Sequence, residues 1–356
     1  MIKNKDLLII LILSICIIQI AAAPNLCIDA AVTGAMLFFY KVFPSLFPFL
    51  VISNLILAYD GIYIYSKIFG RYLCRPMRLP LECGFVLIVS MLCGYPLGAK
   101  YSCDIYERHI IDRNSFIRLL NIASNPSPIF VLGAVGTAML NNSALGYLLL
   151  FSCYASSAVI GVLLSDRNIP GKRSEMVKHT VEPVNLGNAL KNSVENAINT
   201  SISIGGFVII FSVINAYIMR IAPGSSGIIK TVLIGIIEMT NGCSLISGTE
   251  WSILLKLSVI SFFLSFSGLS IISQVYSFTY KYNVSMVRYM AVKAVQGAIC
   301  ALITIINYKL FFSFSALATS NIYINKSSWE SSLLLSLMLL AMPYAVYKLF
   351  KLFKFS

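Results

Sequence analysis

Charged residues and histidines are scarce in this chain of 356 residues. Only 12% of the residues are charged, whereas soluble domains carry about twice that fraction. Hydrophobic residues make up 58% and the mean hydropathy is +0.83. Because the apolar residues come in long runs separated by short polar loops, the composition excludes an ordinary soluble domain and predicts one polytopic integral membrane protein of the all-α class.

Catalytic and metal-binding patterns are also missing from the sequence. The two histidines, His109 and His179, lie in polar connections without a Ser/Asp or Cys arrangement nearby. There is no HExxH pattern and no glycine-rich phosphate loop, and the nine cysteines are scattered without a CxxC pair. We therefore expect no enzyme, no metal site and no cofactor.

The net charge of +13 does not indicate a nucleic-acid partner. No basic patch interleaved with aromatic residues is visible, and Lys and Arg collect in cytoplasmic loops of membrane proteins by the positive-inside rule. The basic stretch 60–82 and the polar connection 165–191 are accordingly expected on the cytoplasmic side, as are both termini. The expected surroundings are membrane lipid.

The apolar runs suggest five regions and roughly eight spanning helices with additional re-entrant limbs. A signal peptide ending at Ala21-Ala22-Ala23 is the alternative for the first region, although an uncleaved helix suits a polytopic protein better. The regions are an N-terminal transmembrane helix (1–27), a first repeat (28–164), a cytoplasmic connecting loop (165–191), a second repeat (192–308), and a C-terminal loop with a transmembrane helix (309–356).

Several apolar runs contain residues that disfavour a continuous helix. The clearest case is Ser124-Asn125-Pro126-Ser127-Pro128, because each proline lacks an N–H and clashes with the preceding turn. Backbone groups left unsatisfied in hydrocarbon cost several kcal/mol, so such a break is tolerated only inside protein or beside a watery cavity. The predicted breaks are Pro44, Pro48, Gly94, Pro96, Gly98, Pro126 and Pro128 in the first half, and Gly205, Gly206, Gly242 and Gly268 in the second.

These breaks follow the same order in both halves. That order predicts two structural repeats with broken or re-entrant helices, preferably inverted, and a site near the membrane midplane where the repeats meet. At Pro44 and Pro48, a bent interfacial helix leading into a span is the alternative.

Short polar side chains cluster at the predicted breaks. A half-helix N-terminus offers free N–H groups and a partial positive charge, which suit a carboxylate or phosphate, and hydroxyl and amide groups add directed hydrogen bonds. For any single residue, a helix cap is the simpler interpretation. The predicted substrate-binding set is Ser124, Asn125, Ser127, Thr240, Asn241, Ser267, Ser270, Gln274 and Lys100.

Ionisable residues inside apolar stretches are functional candidates. Glu238 is expected to carry a coupling proton, pair with a cation or cap the neighbouring half-helix. Arg118 is a second candidate for charge balance, although both Arg118 and Lys100 could instead extend towards the membrane interface. Lys293 and Gln296 lie close together on another apolar stretch, and the sequence leaves their role open.

Five segments together resemble the YlbJ-type sporulation integral membrane proteins. That family belongs to a wider group with the nucleoside-recognition, or Gate, domain, which is similar to concentrative nucleoside transporters. The likeness extends from about residue 28 to residue 300, with one departure at Ser267-Gly268, where the family favours two glycines. The segments are VFPSLFPF (42–49), GYPLGAK (94–100), SPIFVLGAV (127–135), EMTNGC (238–243) and SGLS (267–270).

The resemblance implies a role in filling the developing spore with dipicolinic acid, a small aromatic dicarboxylate. The expected step is transport across the outer forespore membrane, with one carboxylate held by the breaks of each half. A nucleoside or other small-metabolite carrier is an alternative, and so is a structural component of the sporulation envelope. Other sporulation membrane proteins and further copies of the chain are the partners that the resemblance suggests.

Overall fold

The computed structural model describes residues 4–165, 185–221 and 227–317. All secondary structure in these ranges is helical, which confirms the all-α class. Most of the predicted loop 165–191 lies outside the described residues, and its last part, from Leu186 onward, already belongs to a helix. The predicted C-terminal transmembrane helix also lies outside them.

Fifteen α-helices and two π-helical segments that border the site follow in chain order within the described ranges. They are α1 (Asn4–Ala22), α2 (Pro24–Leu37), a first π segment (Phe38–Val42), α3 (Phe43–Ala58), α4 (Gly61–Tyr65), α5 (Arg71–Leu73), α6 (Cys83–Cys93), α7 (Leu97–Glu107), α8 (Arg113–Ile122), a second π segment (Ile129–Met139), α9 (Ser143–Leu163), α10 (Leu186–Ile221), α11 (Gly227–Ile237), α12 (Met239–Ser247), α13 (Ile253–Phe266), α14 (Gly268–Thr279) and α15 (Met286–Leu317).

Several helices are long and apolar enough to cross a membrane, which supports an integral membrane protein. Four such spans lie in the described residues, and two further helix pairs, bent by 103° and 95°, would raise the number to six. The roughly eight spans expected from the sequence are thus not reached within these residues. The four spans are Ser143–Leu163, Leu186–Arg220, Ile253–Tyr282 and Met286–Leu310.

The breaks expected at Pro44 and Pro48 are wrong. Pro44 is the second residue of α3, and Pro48 lies inside the same helix. The preceding π segment Phe38–Val42 has wider turns than an α-helix and helps to accommodate the first proline ring. The helical backbone therefore continues through both prolines.

The break expected at Gly205 and Gly206 is also wrong, because α10 is continuous through both residues. Unlike proline, glycine keeps its N–H, and it costs a helix only about 1 kcal/mol relative to alanine. A Cβ on Gly205 would lie 2.9 Å from the ring of Phe38. Close packing between α10 and the first π segment explains this glycine.

Gly98 and Gly242 are not at interruptions either, since they lie inside α7 and α12. A Cβ on Gly98 would lie 3.0 Å from the Cβ of Ser90 in α6, and a Cβ on Gly242 would lie 2.2 Å from the Cα of Gly235 in α11. The residues of each pair are only seven or eight positions apart in the sequence. Within one straight helix they would be separated by about two turns, or roughly 11 Å, so their contact requires the chain to reverse its direction. α6–α7 and α11–α12 are therefore two helical hairpins, and these glycines let their limbs pack closely.

Candidate functional site

In the first half of the chain, the tip of the α6–α7 hairpin contacts the break that follows α8. The break extends over residues 123–127, as the two prolines predict. The backbone N–H of Tyr95 donates to the carbonyl of Asn125 over 2.8 Å. Gly94 has a φ of +83°, and a Cβ there would lie 2.6 Å from the nitrogen of Ser127. Glycine at this position therefore allows the hairpin tip and the break to touch.

In the second half, the tip of the α11–α12 hairpin contacts the break between α13 and α14. Ser267 and Gly268 form that break in the left-handed conformation, with φ of 77° and 74°. A Cβ on Gly268 would lie 3.1 Å from the nitrogen of Met239. Each half therefore has a hairpin tip packed against a broken helix.

Tyr95 joins the two halves. Its hydroxyl contacts the sulfur of Met239 and lies 3.5 Å from the carbonyl oxygen of Leu264, which accepts from it. Because Tyr95 comes from the first hairpin tip and Met239 from the second, the two tips meet face to face. This arrangement brings the interrupted backbones of both halves into one region.

A cavity of about 580 Å³ opens beside this contact. Its walls are largely aliphatic and come from α2, α3, α10, both hairpins, the second π segment and α14. Six residues of the predicted substrate-binding and charge-balancing sets line it, and they come from both halves: Ser127, Glu238, Thr240, Asn241, Ser270 and Gln274.

Glu238 occupies the N-terminus of α12. Its two carboxylate oxygens accept hydrogen bonds from the backbone N–H groups of Thr240 over 3.0 Å and Asn241 over 2.8 Å. Of the roles considered for this residue, the structure shows the helix cap. The amides that were expected to meet a ligand carboxylate are therefore already bound to a carboxylate of the chain itself.

The hydroxyl of Ser127 has a similar role at the second π segment, because it accepts from the N–H of Phe130 over 3.3 Å. Gln274 differs from both caps. Its side chain is almost fully buried at the cavity wall, and its Oε1 has no hydrogen-bond partner among the described residues. A buried acceptor without a donor is costly. Gln274 is thus the lining residue with most to gain from a ligand.

Three predicted site residues lie behind the cavity wall, outside its lining. Ser124 accepts from the hydroxyl of Tyr289 over 2.9 Å, and Asn125 donates to the carbonyl of Ile122 over 3.0 Å. Ser267 is fully buried, and its hydroxyl has no partner among the described residues. The structure places these three where they shape the breaks.

The predicted cations Lys100 and Arg118 also lie outside the cavity lining. Lys100 pairs with Asp104, one turn further along α7, over 2.6 Å. The guanidinium of Arg118 donates to the backbone carbonyls of Met77 and Arg78. Neither of these contacts involves a break. The described residues that line the cavity include no lysine and no arginine.

Sequence reasoning missed the two aromatic residues of the lining, Tyr95 and Phe130. Both flank a predicted break, directly after Gly94 and two residues after Pro128. Position beside a break is therefore the signal in the sequence that points to both residues. Flat aromatic faces next to polar groups are typical of sites for small planar ligands.

The chain is similar to the sporulation integral membrane protein YlbJ of Bacillus subtilis (strain 168). The two are 26% identical over 325 residues, which cover 82% of this chain and 79% of the relative. No protein-family model and no solved structure matches the chain. The similarity confirms the resemblance noted in the sequence and, together with the apolar helices, supports a membrane protein that acts in sporulation.

Proposed function

We propose that this YlbJ-type membrane protein transports dipicolinic acid across the outer forespore membrane during sporulation. The observation that carries the proposal is the cavity of about 580 Å³ lined by the interrupted helices of both halves. Sites for small molecules typically have about 300–1,000 Å³. Interrupted helices around a polar cavity are also the usual place for substrate in transporters built from repeats.

The proposed mechanism is alternating access between two structural repeats, in an arrangement like that of the concentrative nucleoside transporters. Each repeat would contribute one hairpin and one broken helix. The hydroxyl of Tyr95 lies against Met239 where the two hairpin tips meet. Separating the tips would break this contact and open the cavity to one side of the membrane.

The lining matches a flat ligand with polar ends. Tyr95 and Phe130 can pack against an aromatic ring, and the aliphatic wall excludes water from it. Thr240, Asn241 and Ser270 offer hydroxyl and amide donors for carboxylates. These donors replace part of the hydration that an anion loses on entering the cavity.

A small uncharged metabolite, such as a nucleoside, is the second candidate ligand. It is favoured by one observation: the described cavity lining contains hydroxyl and amide groups but no lysine or arginine. A nucleoside would need no counter-charge, and hydrogen bonds alone would orient it. The two candidates therefore differ in the charge of the ligand.

Uptake into vesicles that contain only this protein tests the proposal. We expect labelled dipicolinate to accumulate in protein-containing vesicles and not in empty ones, and we expect uridine to be excluded. Imposed proton or sodium gradients would show whether uptake is coupled to either ion. Uptake of uridine without dipicolinate would replace our proposal with the second candidate, and uptake of neither would favour a structural role in the envelope.

Two variants connect transport to the cavity. Thr240→Val removes a hydroxyl from the cavity wall, whereas Thr304→Val removes a buried hydroxyl that donates to the carbonyl of Cys300 in its own helix. We expect the first to lower dipicolinate uptake several-fold and the second to leave it unchanged at equal protein content. Equal uptake by both variants would remove Thr240 from the site.

A further inference from the structure

Lys293 is a fully buried lysine on α15. Its ammonium donates to the carbonyl of Ser124 and to the Oε1 of Gln296, each over 2.8 Å. None of the ion pairs among the described residues includes Lys293, so no carboxylate of that part of the chain neutralises it. Burying an unpaired charge costs several kcal/mol, and at membrane depth such a residue is a functional candidate.

The charge of Lys293 lies close behind the cavity wall. Ser124, which accepts its hydrogen bond, is three residues before Ser127, which lines the cavity. Three residues span at most about 10 Å. The ammonium is therefore within roughly 13 Å of the wall when the 2.8 Å hydrogen bond is added.

The cavity itself supplies no positive side chain. Its lining has one carboxylate, Glu238, and no lysine or arginine in the described residues. A dicarboxylate bound there would meet a negative group and no cation in direct contact. The ammonium behind the break is the charge that could balance it, since electrostatic interactions at this range persist where water is excluded.

We propose that Lys293 is the counter-charge of the cavity and thereby selects anionic ligands without touching them. This inference rests on the proposed transport of a dicarboxylate. For a ligand charge at the wall, at most roughly 13 Å from the ammonium, an effective dielectric constant near 20 gives an attraction that corresponds to roughly a tenfold gain in affinity for each unit of ligand charge. The gain should therefore be largest for a dianion and absent for a neutral ligand.

A purely structural role would give a different pattern. Through its bond to Ser124, Lys293 also holds the backbone of the break, and loss of that bond would disturb the cavity wall. Such a disturbance would weaken all ligands by a similar factor. The dependence on ligand charge separates the two roles.

The test uses three pyridine ligands of similar size: dipicolinate with two negative charges, picolinate with one, and neutral nicotinamide. Their dissociation constants are measured for the full-length protein in lipid nanodiscs and for Lys293→Met. We expect losses of roughly 100-fold, tenfold and less than twofold, in that order. The ratio of dipicolinate to nicotinamide affinity within one preparation is independent of the folded fraction.

Lys256→Met is the matched control. This lysine also lies on a spanning helix and donates to a backbone carbonyl, that of Ser247, over 2.9 Å, but it does not line the cavity or contact a break. We expect all three affinities to be unchanged in the control. Lys293→Arg keeps the charge and should keep the preference for dipicolinate.

Two negative results have different meanings. If the parent protein does not bind dipicolinate, the proposed function fails and the inference fails with it. If the parent binds dipicolinate but Lys293→Met weakens all three ligands equally, or none, the proposed function stands and Lys293 is not the counter-charge.

Discussion

In the first half of the chain, prolines interrupt the helical backbone after α8, and hydrogen bonds from other parts of the chain hold this interruption in place. In the second half, the interruption at Ser267 and Gly268 contains no proline. Tyr95, Tyr289 and Lys293 all bond to Ser124 or Asn125. The second interruption turns through the left-handed Ser267 and Gly268, and the hairpin tip packed against it is capped by Glu238. The first break is thus held by several hydrogen bonds from other elements, whereas the second bends at residues in a left-handed conformation.

For the proposed transport cycle, this difference suggests how the two halves divide the roles. Several hydrogen bonds from α15 and from the first hairpin tip would have to break before the first interruption could move. A carboxylate cap and a left-handed turn can rearrange with fewer losses. We therefore expect the first half to act as the fixed wall of the cavity and the second half to provide the part that moves.

The largest effect on this comparison is expected from Gly98→Ala. A Cβ at this position would lie 1.7 Å from the carbonyl oxygen of Ala123, so the hairpin could not remain against the first break. We expect little or no monodisperse protein in size-exclusion chromatography after detergent extraction. The control is Gly206→Ala in α10, where no described residue lies within 4 Å of the added Cβ and the variant should be at least as stable as the parent.

Normal yield and thermal stability of Gly98→Ala would contradict the fixed wall. It would mean that the hairpin and the break can separate without cost. The roles assigned to the two halves would then have to be exchanged or abandoned.

A smaller effect is expected from Glu238→Ala, which should lower the stability of the protein but raise its affinity for dipicolinate. Loss of the cap leaves two N–H groups of α12 without an acceptor and should cost about 1 kcal/mol of stability. The same change removes a negative charge from the cavity and frees a helix N-terminus for a ligand carboxylate. Dipicolinate should therefore bind several-fold more tightly to a protein that unfolds at a lower temperature.

The control for this variant is Glu250→Ala, because Glu250 is exposed in the turn between α12 and α13. It should change neither property. Weaker binding of dipicolinate to Glu238→Ala would show that the carboxylate meets a positive group that accompanies the ligand, such as a coupled cation.

The sequence predicted those parts of the site that depend on local chemistry. Pro126 and Pro128 remove hydrogen-bond donors and forced a correct prediction of the first break. Gly205 and Gly206 led to a wrong prediction of a break. In a single sequence, a glycine that ends a helix cannot be distinguished from a glycine that makes room for a neighbouring aromatic ring. Only the packed structure separates these cases, since the ring of Phe38 lies far away along the chain.

The composition of the cavity wall could not be predicted in the same way. Thr240 and Gln274 were identified as polar residues near breaks, and both line the cavity. Lys100 was expected there too, but a pairing with Asp104 one turn away holds it elsewhere. Which side chain meets which depends on how hairpin tips from distant parts of the chain pack, and no short motif encodes that.

The smallest effect is expected from Ser267→Gly, and it is a gain. A left-handed backbone costs a residue with a side chain about 1 kcal/mol or more, and glycine avoids this cost. The change also removes a buried hydroxyl that has no partner among the described residues. Part of the gain is lost to the greater freedom of glycine in the unfolded chain. We expect a rise of a few degrees in the thermal midpoint, which would make the second break a place of stored strain.

Ser261→Gly is the matched control for this last change. Ser261 is equally buried and lies on α13, which ends directly before Ser267, but its backbone is helical and its hydroxyl donates to the carbonyl of Ser258 over 2.9 Å. This control should lower the midpoint, because glycine gains nothing from a right-handed position. If Ser267→Gly instead keeps the midpoint and loses dipicolinate affinity, the hydroxyl is a ligand donor that becomes exposed during the cycle. In that case the strain at Ser267 is maintained for binding, and the second break belongs to the substrate site as the sequence predicted.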